Sequence, residues 1–223
     1  MKMALTFIIF FYLLFFYIGQ VVNANEEDRK RWNERYDTKE YMYGKEPIKL
    51  LKENINLLTK GKALVLAMGE GRNAVFLAKN GFDVDGCDIS EIAIEKTKIL
   101  AKEHNVKLNA FVADLEEYRI PNNKYDLITC IYYMQRSLIP QIKDRLKIGG
   151  MVVFEEYAIG QSKYGSGSPG SKNPEYSVKH NELPYYLYNE LLNIFRDFYI
   201  LYYREGERED NKSIVSMIAQ KIR

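Results

Sequence analysis

From residue 62 to residue 157, runs of strand length alternate with helical patterns, and the first run, "KALVLAM" (62–68), is fully apolar. A strand with no polar alternation is buried on both faces, the condition of a parallel sheet covered by helices. A helix over 72–81 follows, stopped by Gly81, then a strand over 82–88, a helix from the cap Ser90 to about Glu103, and a strand over 106–114. "YDLITCIYY" (125–133) reads as a fourth strand and "SLIPQIKDRLK" (137–147) as a helix stopped at Gly149-Gly150. "MVVFEEY" (151–157) reads as a fifth strand. This spacing predicts an α/β fold with a doubly wound sheet, right-handed crossovers and the order 3-2-1-4-5. "DFYILYYREG" and "NKSIVSMIAQKIR" have no helix between them and so must pair antiparallel. The expected architecture is a Rossmann-like, mostly parallel sheet of seven strands with an antiparallel edge strand.

Ahead of this unit, residues 25–60 begin charged and then carry Trp32, Tyr36, Tyr41 and Tyr43 before Gly44 and Pro47. From Pro47 the spacing of Ile48, Leu51, Ile55 and Leu58 is helical, with proline in the first turn. Further upstream, Ala4 to Val22 is 19 residues without a charge, an N-terminal hydrophobic helix. It reads either as a membrane anchor, with membrane contact through residues 4–22, or as a signal peptide cleaved near Ala24. Arg29, Lys30, Arg31 and Arg35 outweigh Lys2, which favours an anchored chain with its body on the cytoplasmic face. Export after cleavage is the alternative. The division expected is a leader at 1–24, a cap segment at 25–60 and a ligand-binding domain at 61–223. Downstream, "GQSKYGSGSPGSKNP" (160–174) is a lid or solvated slack, and "PYYLYNELLNIF" (184–195) returns to helix.

A formal net charge of +2 argues against a nucleic-acid partner, which would want a clustered basic face. Cys87 and Cys130 fall in strands separated by strand one, so they are expected as reduced, packed thiols. No cluster has metal-ligand spacing, so no metal is expected. His104 and His180 read as surface residues.

Gly69-x-Gly71-x-x-Ala74 follows strand one, where a ligand sits in an open α/β sheet. Asp88, 19 residues after Gly69, ends strand two, where a carboxylate accepts hydrogen bonds from ribose hydroxyls. These features suit a nicotinamide dinucleotide and S-adenosylmethionine equally. Asp114, which can accept from an adenine amino group, the lack of room for a dehydrogenase substrate domain and the closing strand pair favour the second.

The arrangement resembles the class I S-adenosylmethionine-dependent methyltransferases. "GEGRNAVFLAKNGFDVDGCDIS" and "LKIGGMVVFE" are similar to the small tellurite-resistance-type group, and "WNERYDTKEYMYGKEP" to the first segment of that group and of thiopurine methyltransferases. The resemblance covers residues 32–221 and is sharpest at 66–90. It implies S-adenosyl-L-methionine as cofactor, with Gly69 and Gly71 against its methionyl and ribose portions. Asp88, followed by Ile89, would hold the ribose, Asp114 with Leu115 would frame the adenine, and Trp32 and Tyr43 would close over it. Ala67 is a departure, since many members are expected to carry an acid there. Arg72 is open between holding the cofactor's carboxylate and facing solvent.

Tyr132 and Tyr133 end strand four at the reacting edge and are candidate substrate-binding residues. Glu155 and Glu156 could supply a base, although solvated carboxylates after a strand are the commoner case, and no catalytic residue is assigned. Transfer to a soft, already anionic acceptor needs no general base, so the resemblance implies a small-molecule acceptor such as a thiol or a selenium or tellurium oxyanion. A short nicotinamide-dependent oxidoreductase and a non-catalytic domain of the same fold are the alternatives.

Overall fold

The computed structural model describes residues 26–158, 190–207 and 213–223. The expected leader, the 160–174 stretch, His180 and the first part of the 184–195 helix lie outside the described residues. Among the described residues, no helix is long and apolar enough to cross a membrane.

Seven strands form one sheet in the order β3-β2-β1-β4-β5-β7-β6. They are β1 (Lys62–Leu66), β2 (Asp83–Asp88), β3 (Asn109–Val112), β4 (Tyr125–Ile131), β5 (Leu146–Tyr157), β6 (Phe198–Glu207) and β7 (Ser213–Lys221). The first five are mutually parallel, and β7 runs antiparallel to both β5 and β6. The single reversed strand therefore lies one place in from the edge, and β6 outside it runs with the majority. The connection between β6 and β7 is too short for a crossover, so the two pair antiparallel.

The helices are α1 (26–36), α2 (Lys49–Asn54), α3 (Arg72–Lys79), α4 (Glu91–Glu103), α5 (Ile139–Arg145) and α6 (Glu190–Ile194). Alternate residues of the central strands feed opposite cores. Leu64, Leu66, Ile128 and Phe154 pack with Ile139 and Ile142 of α5 and Leu191 of α6. Ala63, Val65, Leu127 and Val153 pack with Ala74 and Leu77 of α3 and Leu51 of α2. Both faces are covered, as the apolar run in β1 required.

One boundary differs from expectation. The helix expected over 137–147 is preceded by a 3-10 turn and ends at Arg145, and Leu146 already belongs to β5, opposite Tyr125. The register shifts between Tyr125 and Leu127, and Gly149 has φ 79°. The glycine pair thus accommodates an irregularity inside a long strand instead of stopping a helix. Neighbouring strands supply that outcome, and helical periodicity cannot register it.

Candidate active site

At the carboxyl ends of β1, β2, β4 and β5 lies a cavity of about 1060 Å³. The chain must turn away from β1 here, and it does so through three residues at positive φ: Ala67 at 45°, Gly69 at 56° and Gly71 at 87°. Gly69 borders the cavity, and a Cβ added to it would stand 3.0 Å from the Tyr36 hydroxyl. Gly71 is different. It is the left-handed N-cap of α3, and a Cβ there would lie 2.5 Å from the Thr97 side chain. Gly71 is not among the residues lining the cavity. Its lack of a side chain serves the packing of α3 on α4. Ala67 also borders the cavity. Its left-handed backbone marks a position that favours glycine.

Asp88 ends β2 and is 6% exposed. Its Oδ2 accepts from the Gly69 N–H at 2.8 Å and its Oδ1 from the Ser90 N–H at 3.0 Å. The carboxylate thereby pins the glycine loop to the start of α4 while keeping about half of its acceptor sites for the cavity. Burial pushes its pKa up to about 6 despite these backbone bonds. Ile89 and Leu115 also line the cavity, as does Asp114. Asp114 uses Oδ1 to accept from the Glu116 N–H at 2.9 Å, closing a turn that leaves its other oxygen without a partner among the described residues.

The cap segment roofs this crevice. Trp32 and Tyr36 stack with centroids 5.5 Å apart, and Tyr43 meets Tyr36 edge-on at 6.4 Å. All three line the cavity. Tyr36, which composition alone did not single out, is 5% exposed, and burial pushes its hydroxyl far above the ordinary value, so it remains a neutral donor. The guanidinium of Arg35 lies 5.7 Å from both the Trp32 and Tyr43 ring centroids and donates to the Tyr43 hydroxyl at 2.9 Å. Arg72 is half-buried, lines the cavity and donates to the Tyr43 carbonyl at 2.8 Å. It does not simply face solvent.

Lys96 of α4 holds the roof in place. Its ammonium donates to the carbonyls of Tyr36, Thr38 and Glu40 at 3.1, 3.0 and 2.8 Å and pairs with Glu70 of the glycine loop at 2.5 Å. Lys96 and Glu70 are 9% and 5% exposed, so this is a buried ion pair. Ser90, as the N-cap of α4, accepts from Ala93 at 3.1 Å and donates to Asn33 at 2.6 Å, a second tie between roof and sheet.

Across the cavity, Tyr132 and Tyr133 line its wall. Tyr132 has φ 56°, stacks on Tyr157 at 4.8 Å and donates its hydroxyl to Glu155. Tyr133 donates to Gln135 at 2.6 Å. Glu155 and Glu156 are 3% and 2% exposed, which overturns their reading as solvated carboxylates. Strand β7 explains it: Ser216 stands opposite Glu155 and Val215 opposite Glu156, and both cover the end of β5. Cys87 and Cys130 are free and buried. Burial pushes the Cys87 thiol up to about 12 and raises Cys130 as well, which leaves both unreactive. His104 is exposed. No group of residues that could hold a metal occurs among the described residues.

Residues 63–150 match the family model described as a methyltransferase domain. Over that stretch the chain resembles a methyltransferase domain, and its sheet has the α/β, Rossmann-like architecture that goes with it. The chain is also similar to the ubiquinone biosynthesis O-methyltransferase of Rickettsia akari, with 29% identity over 115 residues, 49% of this chain and 45% of that one. The chain thus spans under half the length of that relative. Among solved structures, TehB from Haemophilus influenzae superposes with a TM-score of 0.59 at 21% identity, over 77% of this chain and 61% of the other. A geranyl diphosphate methyltransferase solved with sinefungin does so at 0.55 and 15%, over 78% and 77%. At these identities the likeness is one of fold.

Proposed function

We propose that this domain binds S-adenosylmethionine and transfers its methyl group to a small molecule. The observation that carries the reading is Asp88, a buried carboxylate anchored by two backbone N–H groups with acceptor capacity left toward a cavity of about 1060 Å³. The residues present suit such a ligand. Gly69 brings bare backbone to the cavity wall, and Asp88 would accept from the ribose hydroxyls. The spare oxygen of Asp114 would accept from the adenine amino group. Arg72 keeps guanidinium nitrogens without a partner among the described residues, and these would take the methionyl carboxylate. Trp32, Tyr36 and Tyr43 would exclude water from above. When bound, the sulfonium supplies an activated methyl group and a leaving sulfur that departs neutral. The chain's part is then alignment and exclusion of water.

Calorimetric titration of the full chain with S-adenosylmethionine and with NADH tests the reading. Binding of the sulfonium compound alone is expected, and tight binding of NADH without it would replace methyl transfer by the oxidoreductase alternative. Loss of binding in Asp88→Ala would set aside the non-catalytic alternative.

The apolar stretch 4–22 supports a further part of the proposal, that the chain is held at a membrane with its domain on the cytoplasmic face. Labelling of terminal tags from each side of the membrane tests this, and a mature chain that begins at Asn25 would overturn it.

A further inference from the structure

Strand β5 ends in two adjacent carboxyls, of which Glu156 lines the cavity and Glu155 does not, and they are partnered unequally. Glu155 is occupied by the Tyr132 hydroxyl and by the Ser216 hydroxyl at 2.9 Å. Glu156, 2% exposed and lining the cavity, accepts the Tyr157 N–H at 2.8 Å through Oε1. Its Oε2 is buried and has no hydrogen-bond partner among the described residues. A buried polar atom costs about 1–3 kcal/mol when unsatisfied, so an orphan oxygen beside a cavity of ligand size is a site built for a donor that arrives with the ligand.

The groups that face Glu156 define its proton affinity. On its own strand are Glu155 and Tyr157, on β4 is Cys130, and in the turn after β4 is Arg136. Arg136 is engaged by Glu190 of α6 through bonds of 2.7 and 3.0 Å, and Val215 of β7 presents no charge. Burial pushes the Glu156 carboxyl up to about 8 against the Tyr157 hydrogen bond, while the Glu155 charge raises it further and Arg136 lowers it.

We propose that Glu156 Oε2 is the proton acceptor of the reaction and that the methyl acceptor is a small phenolic hydroxyl compound, an inference that rests on the methyl-transfer reading. A general base acts best when its proton affinity approaches that of its target. A phenol, with a pKa of about 10 as in tyrosine, is close enough to Glu156 for transfer, and an aliphatic alcohol is not. A thiolate or metalloid oxyanion brings no proton and would set an anion against the Glu156 carboxylate. The stacked Tyr132 and Tyr157 rings offer an aromatic wall beside the carboxyl. In the step itself the phenol oxygen bonds to the methyl carbon and its O–H proton passes to Oε2. The carbon–sulfur pair stays with sulfur, leaving a methyl ether, a neutral thioether and a neutral Glu156.

The test uses the full chain, with catechol as the hydroxyl probe and thiophenol as the thiolate probe. Wild type is expected to methylate catechol at a rate that rises about tenfold per pH unit below the carboxyl midpoint. Glu156→Gln should lower catechol turnover about a hundredfold, abolish that rise and spare residual thiophenol turnover. A second readout needs no turnover. The infrared band of the neutral Glu156 carboxyl, identified by its absence from Glu156→Gln, should titrate near pH 8 in the free protein. The midpoint should fall when S-adenosylmethionine is added, because a cation in the cavity favours the carboxylate, and fall less with uncharged-sulfur S-adenosylhomocysteine. A wild type that methylates thiophenol and not catechol overturns the proposal. So does a Glu156→Gln variant with wild-type catechol turnover and pH profile, while binding of S-adenosylmethionine stays intact. Failure to bind S-adenosylmethionine at all would instead overturn the methyl-transfer reading beneath it.

Discussion

The two ends of the sheet treat buried carboxyls in opposite ways. At the amino ends of the strands, Asp85 is 2% exposed yet fully served. Lys62 and Lys124 each approach to 2.8 Å, Asn109 donates at 3.1 Å and the Tyr125 hydroxyl at 3.0 Å. Burial alone would raise its pKa, and these bonds outweigh burial and bring it down to about 2. At the carboxyl ends, Asp88 receives two backbone N–H groups and Glu156 one, and neither meets a cation of its own. Burial wins there, with pKa values of about 6 and 8. Equal burial with unequal pairing separates a carboxyl that holds the fold from one that waits for a ligand. Glu70 shares with Asp85 the neutralising lysine, here Lys96, although it sits at the cavity and its Oε2 has no hydrogen-bond partner among the described residues.

The criterion can be broken most severely at Lys96. Lys96→Met leaves the Glu70 charge buried and three cap carbonyls without their donor, and it should destabilise the chain by roughly 3–5 kcal/mol. Chemical denaturation measures the loss, and hydrogen exchange should show the 36–40 backbone opening first. A loss below about 1 kcal/mol would mean that Glu70 is solvated and does not belong with Asp85. The next effect has the opposite sign. Glu156 binds its proton more tightly folded than unfolded, so its contribution is complete below its ordinary value near 4.5 and is lost as pH rises to about 8. Glu156→Gln removes that slope and should stabilise the protein at pH 8 by roughly 2–4 kcal/mol, a conversion from about 1.4 kcal/mol per pKa unit reduced for water penetration. Denaturation midpoints at pH 5 and pH 8 check it, and the gain must appear only at the higher pH. Asp88 should show itself in binding. Asp88→Asn keeps the shape and removes the charge, and S-adenosylmethionine affinity should fall about a hundredfold, near 2.7 kcal/mol.

Much of this was legible in the chain because it depends on short-range pattern. The unbroken apolar run of β1 announced a sheet covered on both faces, and the spacing from Gly69 to Asp88 placed the loop and the carboxylate together. What escaped notice depends on partners distant in sequence. "FEEY" looks like the solvated end of a strand until β7 is laid beside it, some 60 residues later. Lys96 is one lysine among several in α4, and only the fold shows that the cap carbonyls converge on it. Gly71 carried a correct signal for a tight turn, but the Thr97 side chain that fills the space beside it is visible only in the fold. Tyr36 was hidden by the abundance of tyrosine around it.

The smallest effect tests whether the roof belongs to the binding side of this division at all. Arg35 sits between the Trp32 and Tyr43 rings and donates to the Tyr43 hydroxyl, with no carboxylate partner recorded for it among the described residues. Half-exposed cation–π contacts of this kind contribute about 0.5–1 kcal/mol each. Arg35→Leu keeps most of the apolar stem and removes the charge and the hydrogen bond. The roof remains tied down by Lys96 and by the Ser90–Asn33 bond, so global stability should change by less than about 1 kcal/mol. If Trp32 and Tyr43 close over the cofactor, its affinity should fall about five-fold, carried mainly by faster dissociation in stopped-flow measurements. An unchanged dissociation rate would move the aromatic pair out of the site and leave Tyr36 as the roof's contribution to binding.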